Sequence, residues 1–418
     1  MTTFRVRPSG PLHGRVEISG ASKNAGTKQM AAALLAPGVS TLRNMPRVRD
    51  LEVMAELLRA LGAEVELLPG NEVRVDTTGD LRPEAPYELV SQMRASFNVL
   101  GPLLARCGEA RVALPGGDAI GSRKVDMHLR GLEAMGAHVE VEHGFVHARA
   151  TRLAGARHVL EFPSVGATEN LMCAAVLAKG GTVIENAARE PEVTDLAAFL
   201  DRMGAQVVGA GTSTIEIEGV HDLVAADSVL MADRLEAGTL LMACGIAGGE
   251  IELVGTRLEH LEIVAMKLCE MGMRGSPTPD GLWAQSPGRL GAVDVATLPH
   301  PGFATDFMPT AVALMAVADG SAIVTENIYD GRFDFVDQLA RMGADVRTEG
   351  RHAVVRGVER LSGAPVTASD VRAGAALVLA GLAAEGETVV YQCEHVDRGY
   401  ADLPATLRAV GADVERLD

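Results

Sequence analysis

Leu61-Gly62-Ala63-Glu64-Val65 is the first of six copies of one phrase, apolar-Gly-small-x-apolar, and its recurrence decides the fold. The phrase returns as Met135-Gly136-Ala137-His138-Val139 and Met203-Gly204-Ala205-Gln206-Val207. A degraded copy, Met271-Gly272-Met273, precedes Met342-Gly343-Ala344-Asp345-Val346 and Val410-Gly411-Ala412-Asp413-Val414. The glycines lie 74, 68, 68, 71 and 68 residues apart. Ahead of the first copy, Leu51 to Ala60 carries apolar residues at i, i+3 and i+4 and reads as an amphipathic helix. Gly62 then supplies the left-handed residue that ends a helix. The alternation after it reads as a strand.

A second phrase is interleaved with the first: an Ala/Leu-rich helix ends at a glycine and a β-branched strand follows. Ala31 to Leu35 precedes Gly38, and Cys173 to Ala178 precedes Gly180-Gly181-Thr182-Val183-Ile184. Ala311 to Ala318 precedes Gly320-Ser321-Ala322-Ile323-Val324, and further copies end near Gly108, Gly248 and Gly386. A unit of about 70 residues, with two helices and several short strands, therefore repeats six times. Solenoid units run to roughly 20–45 residues, so these longer ones read as small α/β modules. Six modules fit two lobes of three, with a ligand cleft expected between the lobes.

The 418 residues carry a net charge of −17 and only 3% aromatics, with Trp283 the single tryptophan. So acidic a chain is no general binder of nucleic acid or anionic membranes, and it lacks an aromatic stacking platform. An anionic ligand must be held by local Arg and Lys clusters. The five cysteines, Cys107, Cys173, Cys244, Cys269 and Cys393, form no CxxC pair and read as reduced thiols. No signal peptide or membrane span is evident, so a soluble cytoplasmic protein is expected. His138, His143 and His147 share no zinc-type spacing, and no metal or cofactor is expected.

Four stretches carry candidate chemistry. Leu114-Pro115-Gly116-Gly117-Asp118-Ala119-Ile120-Gly121-Ser122-Arg123-Lys124 is a glycine-rich loop with an acid and two cations. Its G-x-x-x-x-G is followed by Ser-Arg, so it is no Walker motif. Gly20-Ala21-Ser22-Lys23-Asn24 lies between a strand, Arg15 to Ser19, and the first Ala-rich helix. It reads either as a phosphate site or as a capped helix start with a solvated lysine. In His300-Pro301-Gly302-Phe303-Ala304-Thr305-Asp306, the aspartate is a helix N-cap or a carboxylate base. In His395-Val396-Asp397-Arg398-Gly399-Tyr400, the arginine forks onto an anion or pairs with Asp397. Arg94, Arg234 and Arg372 stand near helix starts, where arginines are more often solvated than ligand-bound.

These stretches, with Ser164-Val165-Gly166-Ala167-Thr168-Glu169-Asn170 and Glu185-Asn186-Ala187-Ala188-Arg189-Glu190-Pro191-Glu192-Val193, resemble the UDP-N-acetylglucosamine enolpyruvyltransferases (1-carboxyvinyltransferases) over essentially the whole chain. The related 5-enolpyruvylshikimate-3-phosphate synthases share the fold. The resemblance implies a two-lobed inside-out α/β barrel of six modules. Its lobes would be residues 22–229, with a mobile loop at 114–124, and residues 1–21 plus 230–418. It implies transfer of enolpyruvyl from phosphoenolpyruvate to a sugar 3-hydroxyl with loss of phosphate, the first committed step toward peptidoglycan. Asp306 matches the family's base. Asp118 matches the loop position that is usually cysteine and would act as the acid. Lys23, Arg123 and Arg398 match the cations that hold phosphoenolpyruvate, with Arg372 a fourth basic position. Asn24 matches a sugar contact. Arg94, Val125, Asp126 and Met127 match the sugar-nucleotide wall, as do Ser164, Val165, Gly166 and Ile328.

The departures fall mostly around the acceptor. Asp118 replaces the thiol that the epoxide fosfomycin alkylates, so resistance is expected. Ser22 looks like an insertion before Lys23-Asn24, and Lys124 stands where proline is usual. Phe162, Asn98 and Gly331 also depart from the common pattern. Ser22 and Lys124 favour a rival acceptor such as uridine monophosphate. A non-catalytic nucleotide-sugar-binding paralogue is a third reading, which the retained acid, base and cations oppose.

Overall fold

The computed structural model describes residues 2–18, 20–117 and 124–417. Asp118 and Arg123 therefore lie outside the described residues. The chain divides into two compact units: an amino-terminal one of residues 20–117 and 124–231, and a carboxy-terminal one of residues 2–18 and 232–417.

Each unit holds three four-stranded sheets, and all six sheets share one pattern of pairing. In the first, Ser228–Val229 runs parallel to Val39–Arg43, which pairs antiparallel with Glu72–Asp76, itself antiparallel to Glu64–Leu68. In the carboxy-terminal unit Leu12–Glu17 takes the parallel edge beside Gly249–Val254. Thr3–Val6 instead lies between Thr388–Tyr391 and Val414–Leu417, antiparallel to both. The chain's first two strands thus complete sheets whose other strands come hundreds of residues later. The strand expected over Arg15 to Ser19 begins earlier, at Leu12, and ends at Glu17.

The repeated glycine phrase has the conformation expected of it. Gly62, Gly136, Gly204, Gly272, Gly343 and Gly411 all have φ between 87° and 113°. Each follows an outer helix, such as Arg49–Ala60 or Pro191–Arg202, and precedes a strand. These helices are amphipathic, with a polar face toward water.

The second phrase forms six inner helices. They are α1 (Lys23–Ala32), α2 (Leu100–Cys107) and α3 (Val165–Ala175) in the amino-terminal unit. In the carboxy-terminal unit they are α4 (Arg234–Ala247), α5 (Met308–Met315) and α6 (Val371–Leu382). Every residue of α5 and α6 is buried. A helix apolar on all sides needs cover on all sides, and α4, α5 and α6 pack on one another. Among the described residues no helix is long and apolar enough to cross a membrane.

Small residues let these helices approach. A Cβ at Gly238 of α4 would lie 2.3 Å from the Phe307 ring, next to Asp306. Gly238→Ala is therefore expected to overpack this contact and cost about 1–3 kcal/mol. Urea denaturation of the variant against the wild type measures that loss.

Candidate active site

Several of the candidate side chains stand at the N-terminal ends of inner helices. In the amino-terminal unit Ser22 caps α1, its hydroxyl accepting the Asn24 N–H at 3.2 Å. Lys23, the first residue of α1, is not the solvated lysine of the simpler reading. Its Nζ donates to Asp50 Oδ2 at 2.9 Å, and its side chain is only 17% exposed. The sequence reading missed Asp50, whose signal is a carboxylate in the first turn of the neighbouring outer helix, Arg49–Ala60.

Ser164 caps α3 by accepting the Ala167 N–H, and Val165 and Gly166 beside it are half-buried. Asn98 Nδ2 donates to the Gly166 carbonyl at 3.2 Å, so the residue that replaces an aromatic here braces the α3 start. Val125, Asp126 and Met127 open the helix Asp126–Ala134 and are half-buried. Arg94 Nη2 donates to the Lys124 carbonyl at 2.8 Å, joining two of the expected wall segments. Behind this wall His128 is buried, and burial, with Arg94 and Lys28 nearby, pushes its pKa down to about 3. Its neutral ring accepts at Nδ1 from the Asn170 amide, whose orientation is fixed by the Gly101 N–H on Oδ1.

In the carboxy-terminal unit Asp306 is not a helix cap. It sits in the 3₁₀ turn Thr305–Phe307, and the α5 N-terminus has no side-chain cap bond. Its Oδ1 accepts from Arg372 Nε at 3.0 Å and lies 4.0 Å from Arg332 Nη2. Burial raises the Asp306 pKa, but Arg372, Arg332 and Arg234 outweigh it and hold the carboxyl well below its usual range. Arg372 and Arg234 are buried rather than solvated. Asp370 caps α6 through the Arg372 and Ala373 N–H groups, and Asp233 caps α4 through the Leu235 N–H. The Arg372 guanidinium lies 5.2 Å from the Tyr400 ring centroid, and the Tyr400 hydroxyl is bonded to Thr239 at 2.8 Å.

Two buried donors in this cluster, Arg332 Nε and Arg372 Nη1, have no hydrogen-bond partner among the described residues. A buried guanidinium N–H left unsatisfied is costly. Two of them beside one carboxylate make a site ready for an anion. Arg398 is half-buried in the turn Val396–Arg398, while Asp397 takes a bidentate bond from Arg416 at 2.9 and 2.6 Å. Ile328 is half-buried, and its N–H donates to Glu326 Oε1 at 2.7 Å. Arg332, Tyr400, Asp233 and Glu326 were not singled out from sequence. Tyr400 ends the stretch quoted for Arg398 but was given no role there, the other three lie outside the four candidate stretches, and only the fold brings them near Asp306. Among the described residues no group of three or more His, Cys, Asp or Glu could hold a metal.

A buried carboxylate cluster backs α1. Glu169 pairs with Lys28 at 3.0 Å, and burial, reinforced by Glu192 and Glu190, raises its pKa from 4.5 to about 7 against the pull of Lys28. A carboxyl with a raised folded pKa binds more protons folded than unfolded, so rising pH destabilises it across the interval between the two values. The wild type is therefore expected to lose stability relative to Glu169→Gln as pH rises from 4.5 to about 7, and to level off above that. Denaturant midpoints of both proteins across that range measure the difference.

Known proteins match this chain over nearly its whole length. The EPSP synthase family (3-phosphoshikimate 1-carboxyvinyltransferase) matches residues 6–407. The UDP-N-acetylglucosamine 1-carboxyvinyltransferase of Corynebacterium jeikeium is 50% identical over 415 residues, 99% of each chain. That of Nitratidesulfovibrio vulgaris is 52% identical over 407 residues, 97% of each chain. Among solved structures, the enolpyruvyl transferase NikO from Streptomyces tendae matches with a TM-score of 0.88 at 25% identity, covering 99% of this chain and 98% of that one. An EPSP synthase from Acinetobacter baumannii matches the fold with a TM-score of 0.75 at 18% identity, covering all of both chains. On these matches the chain belongs to the carboxyvinyl (enolpyruvyl) transferase family of enzymes, among the UDP-N-acetylglucosamine 1-carboxyvinyltransferases.

Proposed function

We propose that the protein transfers the enolpyruvyl group of phosphoenolpyruvate to the 3-hydroxyl of UDP-N-acetylglucosamine, with release of phosphate, at the start of peptidoglycan precursor synthesis. The observation that carries this reading is the Asp306 cluster, an ionised carboxylate flanked by two buried guanidinium donors with no partner among the described residues. A base beside vacant cationic donors suits a reaction between a hydroxyl and a polyanion. The finer architecture, an inside-out barrel of six modules in lobes 22–229 and 1–21 plus 230–418, belongs to the same proposal, as does a cytoplasmic location.

In this mechanism Lys23, Arg123, Arg372 and Arg398 offset the phosphate and carboxylate charges of phosphoenolpyruvate. Asp306 takes the proton of the acceptor hydroxyl. The surrounding arginines keep Asp306 ionised but make it a weak base. An anion on Arg372 or Arg332 cancels part of their field, so substrate binding raises the basicity of Asp306 when it is needed. Asp118 protonates the methylene carbon as the acceptor oxygen bonds to the neighbouring carbon that carries the phosphate, and phosphate then leaves this tetrahedral adduct as the new methyl group gives up a proton and the double bond re-forms. Asn24, Arg94, Val125, Asp126, Met127, Ser164, Val165, Gly166 and Ile328 line the acceptor.

Phosphate release from phosphoenolpyruvate, with UDP-N-acetylglucosamine and uridine monophosphate as rival acceptors, tests the reading. Turnover is expected with UDP-N-acetylglucosamine and is expected to fall by roughly 10²-fold or more in Asp306→Asn. Turnover only with uridine monophosphate would keep the chemistry and change the acceptor. Silence with both would overturn the reading. With a carboxylate at position 118, fosfomycin is expected to leave the intact mass and the activity unchanged. Asp118→Cys is expected to gain the mass of the inhibitor and lose activity.

A further inference from the structure

Glu326 is 1% exposed, and the mechanism above gives it no role. Among the described residues it accepts four hydrogen bonds. Oε1 takes the Thr297 hydroxyl at 2.9 Å and the N–H groups of Ile328 and Tyr329 at 2.7 and 3.0 Å. Oε2 takes the Thr305 hydroxyl at 2.7 Å. The Thr305 oxygen also receives Arg332 Nη1 at 2.6 Å. A guanidinium only donates and a hydroxyl has one proton, so that proton points to Glu326 and the oxygen lone pairs face Arg332. Arg332 is 5% exposed, packs 5.6 Å from the Tyr329 ring centroid and reaches Asp306 with its other nitrogen.

We propose that Glu326 is a positioning residue that ties the backbone turn at Ile328 and Tyr329 to the Asp306 carboxylate through Thr305 and Arg332. The inference rests on the enolpyruvyl-transfer reading, in which Ile328 meets the acceptor and Asp306 removes its proton. One carboxylate then fixes both the acceptor wall and the cation beside the base. Both Glu326 oxygens are engaged by protein donors and the side chain is buried, so its role is not contact with substrate. Its effect is geometric: a guanidinium that loses its Thr305 acceptor also loses its orientation toward Asp306. Small misplacements of such groups carry large losses in rate.

Steady-state kinetics of the full-length chain test this, with Thr305→Val, Thr305→Ser, Glu326→Gln and the Glu326→Gln/Thr305→Val double variant. Thr305→Val keeps the shape but removes the hydroxyl. It is expected to lower kcat roughly tenfold or more, with KM for both substrates within about threefold of wild type. Thr305→Ser restores the hydroxyl and is expected to recover kcat to within about threefold of wild type. The double variant is expected to be no worse than the more impaired single one, because both changes cut one relay. A Thr305→Val enzyme with wild-type kcat would overturn the inference, as would a loss carried by KM alone or a serine variant as impaired as the valine one. Those outcomes decide it even if Glu326→Gln fails to fold. A wild type silent with every acceptor would overturn the functional reading, and the inference with it. An active wild type with unaffected variants would strike the inference alone.

Discussion

A helix without a polar face has to be enclosed, and the inner helices of the carboxy-terminal unit are of this kind. α5 and α6 are buried along their whole length, and α4 over most of it. Six four-stranded sheets with one shared pairing pattern and an amphipathic outer helix ahead of each repeated glycine supply the cover. Burying a backbone-paired helix satisfies its interior amides but leaves its first turn with unpaired N–H groups. Those ends are where side chains or ligands must supply acceptors. Ser22, Ser164, Asp233 and Asp370 cap four of them.

The candidate chemistry sits at the same ends. Lys23 is the first residue of α1, Arg234 the first of α4 and Arg372 the second of α6, while Asp306 stands just before α5. The positive ends of helices and these cations reinforce one another, which favours anions. The arrangement is costly without an acidic partner, and each unit provides one. Lys23 has Asp50, and the Arg372 and Arg332 pair has Asp306. The partner at Asp306 doubles as the proposed base, so the groups that hold an anion also set its basicity.

Much of the fold was open to inspection in the sequence because its physical causes are local. A left-handed glycine after an amphipathic run marks a helix end wherever it occurs, and six at nearly regular spacing mark six repeats. The capped start of α1 was legible for the same reason. Asp306 as a helix cap was a local reading too, and it failed because three arginines from distant segments claim the carboxylate. The solvated reading of Lys23 was local as well, and it failed because of a residue 27 positions away, Asp50.

The sequence by itself determined the acidic net charge, and also the repeated phrases, the helix and strand alternation and the family motifs, since these last depend on neighbours within a turn or a strand. Tertiary structure alone decided which sheet Thr3–Val6 completes, which arginines are buried and which carboxylates answer them. Glu326, Thr305, Arg332 and Asp306 lie within 27 positions, yet the bonds among them require the turn at Ile328 to fold back on the turn at Thr305. Arg372, Arg234 and Tyr400 reach the same point from other elements. Charge interactions at a few ångströms depend on distance and burial, and neither quantity is written in the order of residues.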